Sequence, residues 1–320
     1  MTISSIQHRL DQIRQHPIDD EALVDEAVAL AADLLKAAQS EERSGERRQA
    51  KQMARMMNDP AGKAFTLAMA DQVFRPPTPA RSAAQFRHLV EGYGVPDYLS
   101  LPEKIAMRAG AAASVFAPEI VIPAITGAMR SQSSSVILPA EDAKLKPLLA
   151  RRKKAGMRMN LNQLGEAILG ENEAEHRIQA VISRLESPDC DYLSVKISAI
   201  FSQIHLVGET ETLARITDRL RQLYRVAMQN PVNGRPKFVN LDMEEYRDLH
   251  LTCDAFREVL DEPEFMQLEA GIVLQAYLPD SLSALQGLVE WADRRTAAGG
   301  AGIKVRLVKG ANLAMEKVDA

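Results

Sequence analysis

The chain has 320 residues, 46% hydrophobic and 26% charged, and its 39 lysines and arginines against 43 aspartates and glutamates give a net charge of −4. This composition supplies apolar mass for one large globular domain or two small ones and argues against a nucleic-acid binder held by a general basic field. Two cysteines, Cys190 and Cys253, do not build a disulfide framework, so a reducing, cytoplasmic setting is expected.

The opening MTISSIQHRLDQIRQH has no apolar core of signal-peptide length. Leu23, Val24, Ala27, Val28, Ala31 and Leu34 then recur at helical spacing. The stretch EERSGERRQAKQMARMM interleaves both charge signs. It reads as a solvated helix with Met53, Met56 and Met57 packed inward, rather than as a basic helix for nucleic acid. Pro76, Pro77 and Pro79 break the helical pattern, which resumes to about Met129. Ala111 to Met129 is the most apolar stretch, but Pro118, Glu119 and Pro123 interrupt the run of roughly 20 apolar residues a membrane span needs. We read it as buried helical segments. The polar SQSSS, Ser131 to Ser135, marks a joint, so the expected division is a helical arm over residues 1–134 and a second region over 135–320.

From Ser135 the texture changes. The runs VILPA, MRMNLNQLG, YLSVKIS, KFVNLD, GIVLQAY and IKVRLVKG alternate with amphipathic helices. Their apolar stripes are Ile178, Val181, Ile182 and Leu185; Leu213, Ile216, Leu220 and Leu223; and Leu282, Leu285 and Val289. Such alternation implies a parallel sheet with right-handed crossovers, either an open doubly wound sheet or a (β/α)8 barrel. No G-x-G-x-x-G follows any of the runs, as a doubly wound nucleotide fold would favour. Instead each of the last five ends in polar residues: Asn162 and Gln163, Lys196 and Ser198, Asp242 and Glu244, Gln275 and Tyr277, Arg306 and Lys309. Barrel active sites are assembled from several strand ends in this way. The fold class expected is therefore α/β, a (β/α)8 barrel of TIM type with about five of its eight strands present, preceded by a helical region.

Strand parity refines this. Alternate side chains face opposite ways, so Arg306, Val308 and Gly310 share the cavity face while Val305 and Leu307 face the helices. Lys309 has the opposite parity. Gly310 offers bare backbone where something flat or bulky comes close. Ser194, Lys196 and Ser198 likewise share one face. His176, His205 and His250 lie on separate elements, and no metal site is expected.

The stretches NLNQLGEAILGE, YLSVKISAI, FVNLDMEEYRDLHLT, GIVLQAYLPDS and VRLVKGANLAMEKV, in this order on successive strands, resemble the proline dehydrogenase family. The resemblance is closest to the proline dehydrogenase portion of the bifunctional proline utilization A enzymes, and it covers about Met157 to the end. It implies a barrel that holds FAD and oxidises L-proline to pyrroline-5-carboxylate, with a quinone as electron acceptor. It further implies a peripheral membrane association, a homo-oligomer, no nucleic-acid partner, and an NAD-dependent aldehyde dehydrogenase domain in the bifunctional members.

By the same resemblance Lys196 pairs with the substrate carboxylate and Asp242 supports substrate-binding arginines. Gln275 and Arg306 hydrogen-bond the flavin, Val308 and Gly310 contact it, and Asn162 holds a ligand-side position. The residues alone leave other roles open. Lys196 could pair with Asp242 or Glu244, or act as the Schiff-base amine of an aldolase; Asp242 could cap a helix; Arg306 could make a structural salt bridge. The helical arm of a non-catalytic fragment could also serve as an interaction module. Two departures stand out. Asn312 and Leu313 replace an aromatic pair of many relatives, and no paired-arginine motif follows. We therefore expect the N-terminal fragment of a longer enzyme, with little activity by itself.

Overall fold

The computed structural model describes residues 8–9, 11–12, 19–133, 141–162, 168, 170–243, 245–310 and 313–319. The chain forms two compact units, Met1–Leu138 and Pro139–Ala320. The VILPA run, Gln163, Glu244 and Asn312 lie outside the described residues.

The first unit is helical: α1 (Asp20–Glu41), α2 (Ser44–Met57), α3 (Pro60–Ala68) continuing into a π-turn (Met69–Val73), α4 (Pro79–Tyr93), α5 (Leu101–Ala113) and α6 (Pro118–Ser133). Local chemistry sets these limits. Asp19 caps α1 by accepting from the Ala22 amide at 2.8 Å. Ser100 and Glu103 form a capping box on α5. The proline cluster ends one helix, and Pro79 opens the next in its first turn, where a missing N–H costs nothing. Asp59 caps α3 through Gly62 and also accepts from the Asp97 and Tyr98 amides at 2.6 and 3.1 Å. Those backbone donors hold its carboxyl below the usual range.

Phe65, Met69, Val73, Phe86, Leu89 and Ile122 form the core of this unit. Two expectations fail here. No residue of α2 is buried, and Met53 and Met57 are exposed. Ala111 to Met129 is not a buried stretch either: Val115, Phe116 and Ile120 are exposed, while Ser114 and Ile122 are buried. Both segments border a cavity of about 690 Å³ lined by Met53, Met56, Met69, Met107, Ile125 and Met129 among others. The apolar side chains line a space instead of filling one.

The second unit opens with α7 (Asp142–Lys154) and then alternates strands and helices. They are β1 (Leu161–Asn162), α8 (Glu171–Glu186), β2 (Tyr192–Lys196), α9 (Ile197–Ile200), α10 (Glu209–Gln229), β3 (Phe238–Asp242), α11 (Leu249–Leu260), β4 (Ala270–Gln275), α12 (Ser281–Ala297), β5 (Ile303–Val308) and α13 (Leu313–Asp319). All strand pairs are parallel and the order is β1-β2-β3-β4-β5. Among the described strands this order never reverses and shows no switch point of the doubly wound kind; the sheet winds one way, as a barrel does.

One face of the sheet meets the helices. Leu193, Val195, Val239, Leu241, Ile272 and Leu274 pack with Ile178, Leu185, Ile216, Leu220, Leu223 and Phe256. The α8 and α10 stripes are those the periodicity marks. The α12 stripe holds only at Leu285, which packs against the core: Leu282 and Val289 are exposed, while Ser281, Leu288, Trp291 and Arg295 are buried. Trp291 sets this rotation. Its ring meets Phe256 edge-on at 5.8 Å and its indole N–H donates to Asp261 at 2.9 Å. Ser198 also departs from expectation, since β2 stops at Lys196 and Ser198 belongs to the short α9.

Two buried cations tie the connections down. Arg295 donates to the carbonyls of Leu260, Phe265, Met266 and Ala301, which join α11 to β4 and α12 to β5. Lys237, 1% exposed, donates to the carbonyls of Leu185 and Ser187 at 2.5 and 2.6 Å. Burial lowers the pKa of both groups. Cys190 and Cys253 are buried, and burial pushes each thiol up to about 11.

Arg295→Met should destabilise the chain by at least about 3 kcal/mol in urea denaturation, because buried carbonyls left without donors cost roughly 1–3 kcal/mol each. Arg225→Ala, which breaks a surface pair with Glu264 and a contact over the Phe265 ring, should have less effect.

Candidate active site at the strand tips

The other face of the sheet is graded along its length. At the N-terminal end of the strands it is aromatic: Tyr192 and Phe238 meet edge to face at 4.9 Å, with Lys304 5.0 Å and Arg158 5.7 Å from the Tyr192 ring centre. Toward the C-terminal end it becomes polar. The period of two carries Tyr192 to Ser194 and Lys196 on β2, and Phe238 to Asn240 and Asp242 on β3. Parallel register then aligns the tips, with Asn162 opposite Ser194, Lys196 opposite Asp242, and Gln275 opposite Val308.

Asp242 is the hub. Arg306 Nη2 donates to its Oδ1 at 2.5 Å, Asn240 Nδ2 to the same oxygen at 2.9 Å, and Asn162 Nδ2 to Oδ2 at 2.8 Å. Ser194 hydrogen-bonds the carboxyl, and the Lys196 charge acts on it. The carboxyl is therefore spent on side chains of β1, β2, β3 and β5 rather than on a helix cap. Burial raises its pKa above the ordinary 3.8, against the lowering influences of Arg306, Ser194, Asn240 and Lys196.

The structure thus brings Asn162, Lys196, Asp242 and Arg306 together. Gln275 is buried beside them and donates to the Met243 carbonyl at 3.2 Å. Val308 is half-buried next to it. Lys309 is exposed, as its parity requires, but Leu307, expected against helices, is 59% exposed. Gly310 has φ +100°, a backbone that favours glycine, and a Cβ there would fall 1.5 Å from the Tyr277 ring. The flat group that approaches Gly310 is the protein's own tyrosine.

Sequence reasoning passed over Asn160 and Asn240. Asn160 donates to Ser194 Oγ at 2.9 Å, and Asn240 holds Asp242. The parity argument applied to KFVNLD would have found Asn240, two residues before Asp242 and on its face. Among the described residues no group of His, Cys, Asp and Glu is placed to hold a metal ion. No described helix is long and apolar enough to cross a membrane.

Buried atoms test whether a flavin suits this face. Arg306 Nε is a buried donor with no acceptor, which an electron-rich ring edge would supply. Val308 offers an apolar neighbour. The residues fit such a group at Arg306 and Val308, whereas at Gly310 the Tyr277 ring already fills the space a Cβ would take.

A one-way parallel β/α sheet whose polar tips gather around one ion pair is that of the β/α-barrel class. The family profile described as Proline dehydrogenase matches residues 145–320, more than half of the chain, and the chain belongs to that family. It is similar to the structure of proline utilization A from Corynebacterium freiburgense, with 45% identity over 70% of this chain and 22% of that one, at a TM-score of 0.56. It is also similar to proline utilization A from Bdellovibrio bacteriovorus, inactivated by N-propargylglycine, with 29% identity over 85% of this chain and 27% of that one, at a TM-score of 0.66. A mutant of the Bradyrhizobium japonicum protein, 21% identical over 91% of this chain and 31% of that one, shares the fold at a TM-score of 0.53. The chain thus spans about a quarter of the length of the first two structures. No curated protein sequence matches it as a relative.

The raised pKa of Asp242 has a consequence for stability. The folded chain keeps this proton at pH values where the unfolded chain has released it. The resulting stabilisation is full below 3.8 and is lost as pH rises through the folded value. The stability of the wild type relative to Asp242→Asn should therefore fall as pH is raised from 3.8, in urea titrations at a series of pH values. A difference that stays flat with pH would contradict this assignment.

Proposed function

We propose that the chain supplies the first five strands of an FAD-dependent proline dehydrogenase barrel, which oxidises L-proline to pyrroline-5-carboxylate as the N-terminal part of a longer enzyme. The observation that carries this is the meeting of Lys196, Asp242 and Arg306 at one mouth, in a chain of the proline dehydrogenase family. The bound flavin would accept two electrons, and its reduced ring gathers charge at an edge that donors stabilise.

The chain's own residues have distinct tasks in this reading. Lys196 presents an ammonium to the substrate carboxylate. Arg306, with one nitrogen on Asp242 and Nε unengaged, offers that remaining N–H to the flavin. Asp242 holds Arg306 in place, together with Asn162. Gln275 and Val308 complete the cofactor side, with Gly310 beneath the Tyr277 ring. Residues 1–134 make up the helical arm and linker, and residues 135–320 the barrel part. A quinone acceptor with peripheral membrane association, a homo-oligomer, a cytoplasmic setting, and an NAD-dependent aldehyde dehydrogenase domain in the longer protein belong to the same proposal.

In a protein that carries this chain within a complete barrel, L-proline should bleach the oxidised flavin band. Lys196→Met should raise KM for proline by roughly 10- to 100-fold, the loss of one charge-assisted hydrogen bond. Arg306→Met should weaken flavin retention by a similar factor. A colourless wild-type protein, unchanged by proline, would refute the proposal.

A further inference from the structure

We propose that Asn240, seated by Gly271, is a positioning residue that fixes the Asp242 carboxylate toward Arg306. The inference rests on the reading of Asp242 and Arg306 as the working pair of the site.

Asn240 is fully buried at 0% exposure on β3. Its Nδ2 lies 2.9 Å from Asp242 Oδ1, the oxygen that also accepts from Arg306, and 3.4 Å from Ser194 Oγ. An ionised carboxylate only accepts hydrogen bonds, so the amide nitrogen must face Asp242 and the amide oxygen must face away. That oxygen has no hydrogen-bond partner. A buried carbonyl without a donor is destabilising, and an apolar side chain of the same volume would avoid the loss. A space-filling role does not explain an asparagine here; a donor aimed at Asp242 does.

Gly271 explains how the amide fits. It pairs with Asn240 across the β3–β4 register. A Cβ at this position would fall 2.5 Å from Asn240 Oδ1 and 2.8 Å from the Phe238 ring. Alanine would push the amide oxygen away and swing the donor off Asp242. Phe238 is packed under Tyr192 and cannot yield easily. The glycine on one strand thus sets the geometry of a carboxylate on the next. The charged groups that act on Asp242 are Arg306 from β5 and Lys196 from β2, and its neutral donors are Asn162, Ser194 and Asn240. Asn240 shares the oxygen that Arg306 uses, so losing it removes the neutral donor that fixes this oxygen toward Arg306.

The test follows the Asp242 carboxyl by carbon NMR in the full chain labelled at aspartate, with its signal assigned by Asp242→Asn. Asn240→Ala and Gly271→Ala should each move the titration midpoint upward, because a donor to the ionised form is lost. Asn240→Asp keeps the shape, so it guards against simple loss of fold; it should give two coupled steps, since adjacent carboxylates share a proton. Gly287→Ala, whose Cβ has no neighbour nearer than 3.9 Å, should leave the midpoint unchanged. A midpoint unmoved in folded Asn240→Ala and Gly271→Ala, or a single unshifted step in Asn240→Asp, overturns the proposal. Fluorescence titration with FAD separates the two readings. A protein that carries this chain within a complete barrel and fails to quench FAD fluorescence, while the variants still shift Asp242, leaves the positioning role standing and removes the flavin reading.

Discussion

The second unit depends on one buried carboxylate. Asp242 sits on the central strand of five, and side chains from the first, third and fifth strands end on its two oxygens. Burying a lone carboxylate is prohibitively unfavourable; burying one with donors on each oxygen and a guanidinium alongside is feasible. The polar residues on this face are therefore mutually obligatory. Removing any one leaves another unsatisfied in a medium poorer than water at screening charge.

Geometry makes this convergence possible. Parallel strands in sequential order bring equivalent positions to the same level, and the two-residue repeat puts every second side chain on the inner face. The helices need the other face to be apolar, and it is, with Leu193, Val195, Val239, Leu241, Ile272 and Leu274 in the shared core. Each strand thus has one set of positions committed to packing and one set available for chemistry. Aromatic rings close the inner face at one end, and the polar cluster occupies the other.

Much of this was legible in the residues. Polar tips on otherwise apolar strands pointed to a barrel mouth, and parity separated Arg306 from Lys309. The five described strands lie within runs that the pattern marks, and two of three helix stripes held. The failures share a cause: they depend on what lies opposite. The α12 stripe was displaced by the demands of Trp291 and Arg295, whose partners come from other segments. Met53 and Met57 look like core residues by spacing, yet helix α2 borders a cavity instead of a packed layer. Tyr277 covers Gly310, a contact that no local pattern encodes. Arg295 gave no signal, since an arginine near a helix end usually meets solvent.

Lys237 carries a different implication. Its amine is sealed beneath the end of α8 and engaged with two main-chain oxygens. Acylating reagents that modify surface lysines within seconds cannot reach it until β3 and α8 part. Its slow modification would therefore time the cooperative opening of the whole β/α unit, with the many exposed amines as an internal reference for reagent strength.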